Sequence, residues 1–205
     1  YPYAVHTVGS CMVVRASTYA KGGGMNKRKA GEDFHFLHKL VQEGGWQLIT
    51  NAVVYPSCRA SDRVPFGTGK AQLEYKITLS RTSYNPEIYR IIGNVFKVID
   101  QFYSQQIDLN LLPKEAGKFL RQNGFENEML EMKRQSGSLQ SFRKRWWQWM
   151  DGLKVLKLVH HLRDQGLANV PVVQAAQALL STEKTQLNDQ SEWLLNEFRN
   201  LDKTV

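Results

Sequence analysis

Cysteine is scarce in this sequence. Only Cys11 and Cys58 occur among 205 residues. Two cysteines at this spacing match neither a disulfide framework nor a zinc-binding pattern. Because disulfides are rare in the cytosol, we interpret both as reduced thiols of a cytoplasmic protein.

Long apolar runs and a recognisable start are also missing. No stretch approaches the roughly 18 apolar residues that cross a bilayer. The first residues, Tyr1-Pro2-Tyr3, contain neither an initiator methionine nor the basic start of a signal peptide. We interpret the sequence as an internal stretch of a longer protein, so that any targeting segment would precede Tyr1.

The composition that is present is globular and basic. A hydrophobic content of 42% and a charged content of 22% argue against wholesale disorder. The net charge of +8 favours an anionic partner. Charge alone does not separate a nucleotide sugar from nucleic acid or acidic lipid.

The first 80 residues predict part of an α/β sheet protein. Residues 8–15 and 48–55 are rich in strand-forming side chains. Between them lie a glycine turn at residues 22–24 and an amphipathic helix over residues 32–43. A loop dense in Ser, Arg, Gly and Pro follows over residues 57–70.

The remainder predicts helices, with a boundary at residues 80–85. Asn85 precedes Pro86 as a helix cap, and Ser138 caps a later helix that breaks at Asp151-Gly152. The final two helices begin near Pro171 and Asp189. The first long helix shares one apolar face: Ile88, Ile91, Ile92, Val95, Phe96, Ile99 and Phe102. We expect that face to pack against the predicted sheet half.

The tetrapeptide Gly31-Glu32-Asp33-Phe34 opens the amphipathic helix. Two carboxylates at a helix start complement the helix dipole, a contribution of about 0.3–1 kcal/mol each. The motif alone therefore has a structural explanation as well as a catalytic one.

The order of features around this motif resembles the second half of family-2 glycosyltransferases of the GT-A type. In that family a Gly-Ser strand, a Gly-Gly turn and a Glu-Asp motif follow one another, as Gly9-Ser10, Gly22-Gly23-Gly24 and Glu32-Asp33 do here. The similarity covers about residues 4–71, and residues 63–70 also resemble bacterial members. It implies a partial GT-A sheet half in residues 1–82, followed by a mainly α-helical region in residues 83–205.

The resemblance implies a general base. Asp33 would accept the proton of an acceptor hydroxyl as that oxygen attacks the anomeric carbon of the donor sugar, with inversion. Glu32 would bind and orient the acceptor, and Gly9 and Ser10 would contact it. The intact enzyme would thus move a hexose-type sugar from a nucleotide-sugar donor to a glycan or lipid-linked acceptor.

The departing nucleoside diphosphate needs cations near it. Arg63 is the first candidate, followed by Arg59 and Lys70, with Gly67 and Gly69 permitting close backbone approach. That Arg59 and Lys70 are merely solvated is the alternative. The segment is not a P-loop, because the first glycine and the final Ser or Thr are missing.

The resemblance also implies what this stretch does not carry. The sugar-nucleotide half, with its Asp-x-Asp metal site, is absent from the sequence, and Tyr55-Pro56 stands where many members place a metal-binding histidine. We therefore assign no metal ligand here and expect Mg²⁺ or Mn²⁺ to be bound mainly by the missing half. The fragment alone should be inactive.

Two other groups allow alternatives. His35 and His38 have a spacing that can share a metal, but no third ligand accompanies them.

Residues 142–150 mix basic and aromatic side chains. Three interpretations of this segment are possible: core packing, membrane-surface docking and nucleic-acid binding. No nucleic-acid motif accompanies them, so we expect no nucleic acid. The alternative function is a non-catalytic helical module with a basic, Trp-rich surface for membrane or protein docking.

Overall fold

The computed structural model describes residues 2, 11–27, 31–47, 49, 54–55, 57, 59–62, 67–106, 108–180 and 190–202. The chain forms two compact units, Tyr1–Arg81 and Thr82–Val205. The helices of the first unit are α1 (Ala16–Lys21), α2 (Glu32–Glu43) and α3 (Thr68–Thr78). Those of the second are α4 (Pro86–Ser104), α5 (Lys114–Gln122), α6 (Phe125–Arg134), α7 (Leu139–Trp149), α8 (Gly152–Asp164), α9 (Val172–Leu179) and α10 (Gln190–Asp202), with a 3₁₀ helix at Leu109–Leu111.

The predicted α/β class, with its partial GT-A sheet half, is wrong for the described residues. They contain one sheet, in which β1 (Thr82–Ser83) pairs antiparallel with β2 (Val170–Pro171). The described parts of the two predicted strands belong to no sheet: residues 11–15, 49 and 54–55. The other parts, residues 8–10, 48 and 50–53, lie outside the described residues.

The prediction failed because strand propensity depends on single residues, whereas a strand forms only beside a second strand that pairs with it. A strand is stabilised by a neighbour that pairs its backbone and by side chains that cover one face. Val13 is 90% exposed and Tyr55 is 89% exposed, so neither has such a cover. Their β-branched and aromatic character therefore does not produce a sheet.

In the first unit, helices α1 and α2 pack against each other. Gly23 and Gly24 have φ values of 72° and 69°, which reverse the chain after α1. The Tyr19 ring lies 5.2 Å from the ring of Phe36 on α2, and Phe36 is buried. Lys21 pairs with Glu43 at the far end of α2. Local packing thus sets the position of α2 relative to α1.

The same unit leaves many large apolar side chains uncovered. Among its described residues only Phe36 and Val41 are buried apolar side chains. Nine large hydrophobic residues are exposed: Val13, Tyr19, Trp46, Ile49, Val54, Tyr55, Tyr75, Ile77 and Leu79. The described part of this unit therefore has a small core and a largely uncovered set of apolar side chains.

Helix α4 is the centre of the second unit. The Asn85 side chain accepts a hydrogen bond from the backbone N–H of Glu87 at 3.0 Å, and Pro86 begins the helix, which confirms the predicted cap. One face of the helix is buried: Ile88, Ile92, Val95, Ile99 and Phe102. The 3.6-residue apolar period predicted this face.

The buried face of α4 packs against other helices, whereas the sequence predicted that it would pack against a sheet half. Helix α4 packs against α5, α7, α8 and α9, all of which belong to the same unit. The Phe102 ring meets the Phe125 ring edge-on at 5.8 Å, and Phe125 meets Trp146 edge-on at 6.0 Å. The expectation that a sheet half covers α4 is therefore wrong, because the apolar faces of the neighbouring helices already form the core.

Helices α7 and α8 begin where capping residues predict, whereas Asp189, near which the last helix was expected to begin, lies outside the described residues. Ser138 and Ser141 form a reciprocal capping box at the start of α7. The Asp151 side chain accepts from the backbone N–H of Lys154 at 2.8 Å and starts α8. The predicted break at Asp151-Gly152 is confirmed.

Trp146→Ala should lower the free energy of unfolding of the helical unit by about 3–5 kcal/mol, because its fully buried ring would leave a cavity. Trp147→Ala is the matched control and should cost much less, because Trp147 is only half-buried. Urea titrations followed by far-ultraviolet circular dichroism would compare the two. Equal costs would contradict this assignment of the core.

Candidate functional site

The two predicted carboxylates lie in the first turn of α2. Gly31, with φ of 76°, precedes the helix in the left-handed conformation that glycine adopts without strain. Glu32 and Asp33 follow, both half-buried. An Asp33 Oδ1 atom accepts a hydrogen bond from the backbone N–H of Phe34 at 2.7 Å. This bond fixes one oxygen of the carboxylate at the start of α2.

The histidines that follow Asp33 pack beside Phe34. The ring of His38 lies 4.0 Å from the Phe34 ring, and the ring of His35 lies 5.5 Å from it, edge-on. No group of three or more His, Cys, Asp or Glu side chains within the described ranges is arranged to hold a metal ion. The structure therefore places these imidazoles in an aromatic cluster at the start of α2.

The predicted diphosphate-binding residues gather partly at the start of α3. Gly67, with φ of 108°, precedes the helix, and Lys70 is half-buried in its first turn. The backbone N–H of Ser61 donates to the carbonyl of Gly69 at 3.1 Å. This bond holds Ser61 against the first turn of α3, while Arg59, two residues earlier, is exposed.

Gly69 is required by that close approach. A Cβ atom at position 69 would lie 2.8 Å from Ser61 Cβ and 3.3 Å from the Ser61 nitrogen. Both distances are shorter than ordinary contacts, so a larger residue would push the two segments apart. Three other predicted site residues, Gly9, Ser10 and Arg63, lie outside the described residues.

A groove along α3 contains residues that the sequence did not single out. It has a volume of about 560 Å³ and is lined by Gly67, Thr68, Ala71, Gln72, Tyr75 and Arg81. Leu79, with φ of 51°, ends α3 in the left-handed conformation. The Thr78 hydroxyl supports this turn by donating to the Glu74 carbonyl at 2.9 Å. The turn directs the chain back, so that Arg81 reaches the groove.

The sequence missed this groove because it did not predict α3. The apolar residues of α3 show no helical period, so no amphipathic face marks the helix. Once the helix is known, Thr68, Ala71 and Tyr75 recur at the three- and four-residue spacing of one helix face. This spacing is the sequence signal by which the groove residues could have been identified.

The Trp-rich helix α7 belongs mainly to the core. Phe142 and Trp146 are fully buried. The Trp147 ring meets Phe96 of α4 edge-on at 4.9 Å. The Lys154 ammonium lies 3.6 Å from the centre of the Trp149 ring, and burial is the main cause of its lowered pKa. The packing interpretation of this segment is therefore confirmed.

The geometry of α7 does not suit a single membrane-facing plane. Trp147 and Trp149 are two residues apart, which corresponds to about 200° around a helix, so they lie on opposite flanks. Arg143 donates two hydrogen bonds to Asp100 at 2.9 and 2.6 Å. The hydrogen bond from Arg143 is the main cause of the lowered pKa of Asp100. Among the helices that the structure describes, none has the length and apolarity needed to cross a bilayer.

Gly69→Ala should separate residues 59–62 from α3 and speed amide hydrogen exchange at Ser61 about 2–10-fold, the effect of losing one hydrogen bond of ordinary strength. Gly93→Ala is the matched control, because a Cβ atom there meets no atom within 4 Å. It should leave Ser61 unaffected and stabilise α4 by about 0.5–1 kcal/mol. Unchanged exchange at Ser61 in Gly69→Ala would show that the contact is absent in solution.

Comparison with known proteins returned no relative. No protein-family model matches the chain, and neither a curated protein nor a solved structure does so. The chain's own residues and geometry are therefore the grounds on which a function can be inferred.

Proposed function

We propose that this chain supplies the acceptor side of an inverting glycosyltransferase, in which Asp33 is the general base. The observation that carries the proposal is the position of Asp33: a half-buried carboxylate in the first turn of α2, at a helix end held by local packing. A general base must lie within about 2.6–3.2 Å of the hydroxyl that it deprotonates. A packed helix end can hold a carboxylate at that distance better than a loose loop can.

In the proposed reaction the acceptor hydroxyl oxygen forms a bond to the anomeric carbon of the donor sugar. The bond from that carbon to the diphosphate oxygen breaks, and its electron pair leaves with the nucleoside diphosphate. The acceptor proton passes to Asp33. Glu32, one residue earlier, orients the acceptor, and Gly9 and Ser10 are further proposed acceptor contacts.

In this proposal the start of α3 binds the departing nucleoside diphosphate. Lys70 lies in the first turn of α3, and Arg59 and Arg63 complete the proposed set of cations. Gly67 lets backbone N–H groups approach the phosphate oxygens, whereas Ser61 occupies the space beside Gly69. Mg²⁺ or Mn²⁺, held mainly by a segment other than this one, would neutralise part of the diphosphate charge.

The uncovered apolar residues of the first unit support a larger assembly. Val13, Tyr55, Ile77 and Leu79 are each exposed by 75% or more. A donor-binding half would give such side chains a partner while positioning the nucleotide sugar beside Asp33. We place the intact enzyme in the cytoplasm, acting on a glycan or a lipid-linked acceptor at the inner face of the membrane.

Asp33→Asn in the intact enzyme should lower kcat by about 10²–10⁴, the contribution that a positioned general base makes. Donor affinity should change little, because the base faces the acceptor. Glu43→Gln, at the opposite end of the same helix, is the matched control and should keep the rate. A wild-type rate in Asp33→Asn, or a loss of stability alone, would show that Asp33 only caps the helix.

The isolated chain of residues 1–205 should release no nucleoside diphosphate from any nucleotide sugar. Without a donor-binding half the two substrates cannot be held together, and that positioning can supply about 7–11 kcal/mol of the barrier. A coupled assay for nucleoside diphosphate, with the full-length enzyme as the positive control, would test this. Turnover by the isolated chain would refute the division of labour.

A further inference from the structure

We propose that the groove along α3 binds an uncharged sugar unit of the acceptor. The inference deepens the proposed function, on which it rests, by naming the chemistry of the acceptor. The groove has a volume of about 560 Å³, which lies within the range of small-molecule sites in proteins. A monosaccharide, with room for part of a second, fits a groove of this size.

One face of α3 supplies most of the lining. Thr68, Ala71, Gln72 and Tyr75 follow the spacing that places side chains above one another on a helix. Arg81 closes the groove from the returning chain after the turn at Leu79. Because helix and turn are continuous, the five side chains are held together by local backbone structure.

The lining combines one apolar surface with several polar edges. Tyr75 is 49% exposed, so its ring offers a flat apolar surface to a ligand, and Ala71 extends that surface. Around it, Thr68 and Gln72 offer both donors and acceptors, while Arg81 offers donors only. A sugar ring has the matching composition: a face of C–H groups and a rim of hydroxyl groups that both donate and accept.

The charges favour a neutral ligand over an anion in this groove. The Arg81 guanidinium lies 3.8 Å from the Glu74 carboxylate, so an acidic group already balances the cation at the rim. A second anion beside Glu74 would meet a like charge. The cations Arg59 and Lys70 do not line the groove, although Gly67, which the proposed function assigns to the diphosphate, lies at its end.

The test is a two-dimensional ¹H–¹⁵N NMR titration of the chain with cellotriose and chitotriose as neutral probes and pyrophosphate as the anionic probe. The neutral probes should give saturable shifts at the side-chain amide of Gln72 and the Nε–H of Arg81, with a dissociation constant on the order of 1 mM. Pyrophosphate should leave these signals in place.

Variants separate recognition from folding. Tyr75→Ala should weaken binding of the neutral probes by about 2–12-fold, the range for a lost ring contact. Tyr75→Phe keeps the ring and should bind like the parent chain. Tyr89→Ala is the matched control, because Tyr89 is a similarly exposed tyrosine of the other unit. Backbone spectra that overlay with those of the parent would show that each variant is folded.

Several results would overturn the proposal. No saturable shift with either neutral probe, equal binding by Tyr75→Ala and Tyr75→Phe, or shifts at Gln72 and Arg81 with pyrophosphate alone would each reject a sugar site. The outcome is independent of the proposed catalysis. Sugar binding combined with full activity of Asp33→Asn would reject Asp33 as the base and keep the groove. Loss of activity in Asp33→Asn without sugar binding would reject the groove alone.

Discussion

The burial of one face of α4 is the constraint on which the helical unit depends. Five apolar side chains of that helix leave water together, and each large one contributes about 1.5–3 kcal/mol. Phe125 links this face to Trp146 through successive edge-on ring contacts. The buried indole N–H of Trp146 has no hydrogen-bond partner among the described residues, which costs about 1–3 kcal/mol. Ring packing must therefore outweigh that cost.

The first unit obeys a different constraint. Its buried apolar side chains among the described residues are Phe36 and Val41, so it has a much smaller core than the helical unit. Individual glycines also shape it, since Gly31 starts α2 in a left-handed conformation and Gly69 admits Ser61 into contact with α3. The proposed site thus depends on a few local contacts and on local backbone geometry, while the helical unit is held by a shared core.

This difference explains how far the sequence could predict the molecule. The long apolar period and the Asn85 cap predicted α4, and Ser138 and Asp151 predicted the later helices, because those signals lie within a few neighbouring residues. The strands proposed at residues 8–15 and 48–55 depended on partners that propensity does not specify. At the site, the acidic start of α2 was visible in the sequence. Arg81 was not, since its place in the groove depends on the turn at Leu79.

The starts of α2 and α3 differ in charge, and the proposed reaction follows that difference. Helix α2 begins with Glu32 and Asp33, whose negative charge already complements its dipole. Helix α3 has neither an acidic residue in its first turn nor a side-chain cap, so its N–H groups and partial positive charge remain for an anion. The unit of residues 1–81 also holds eleven Lys and Arg against five Asp and Glu, so that +6 of the net +8 belongs to it. In the proposed reaction, the proton acceptor at α2 and the departing diphosphate at α3 would therefore use different electrostatic environments within one small unit.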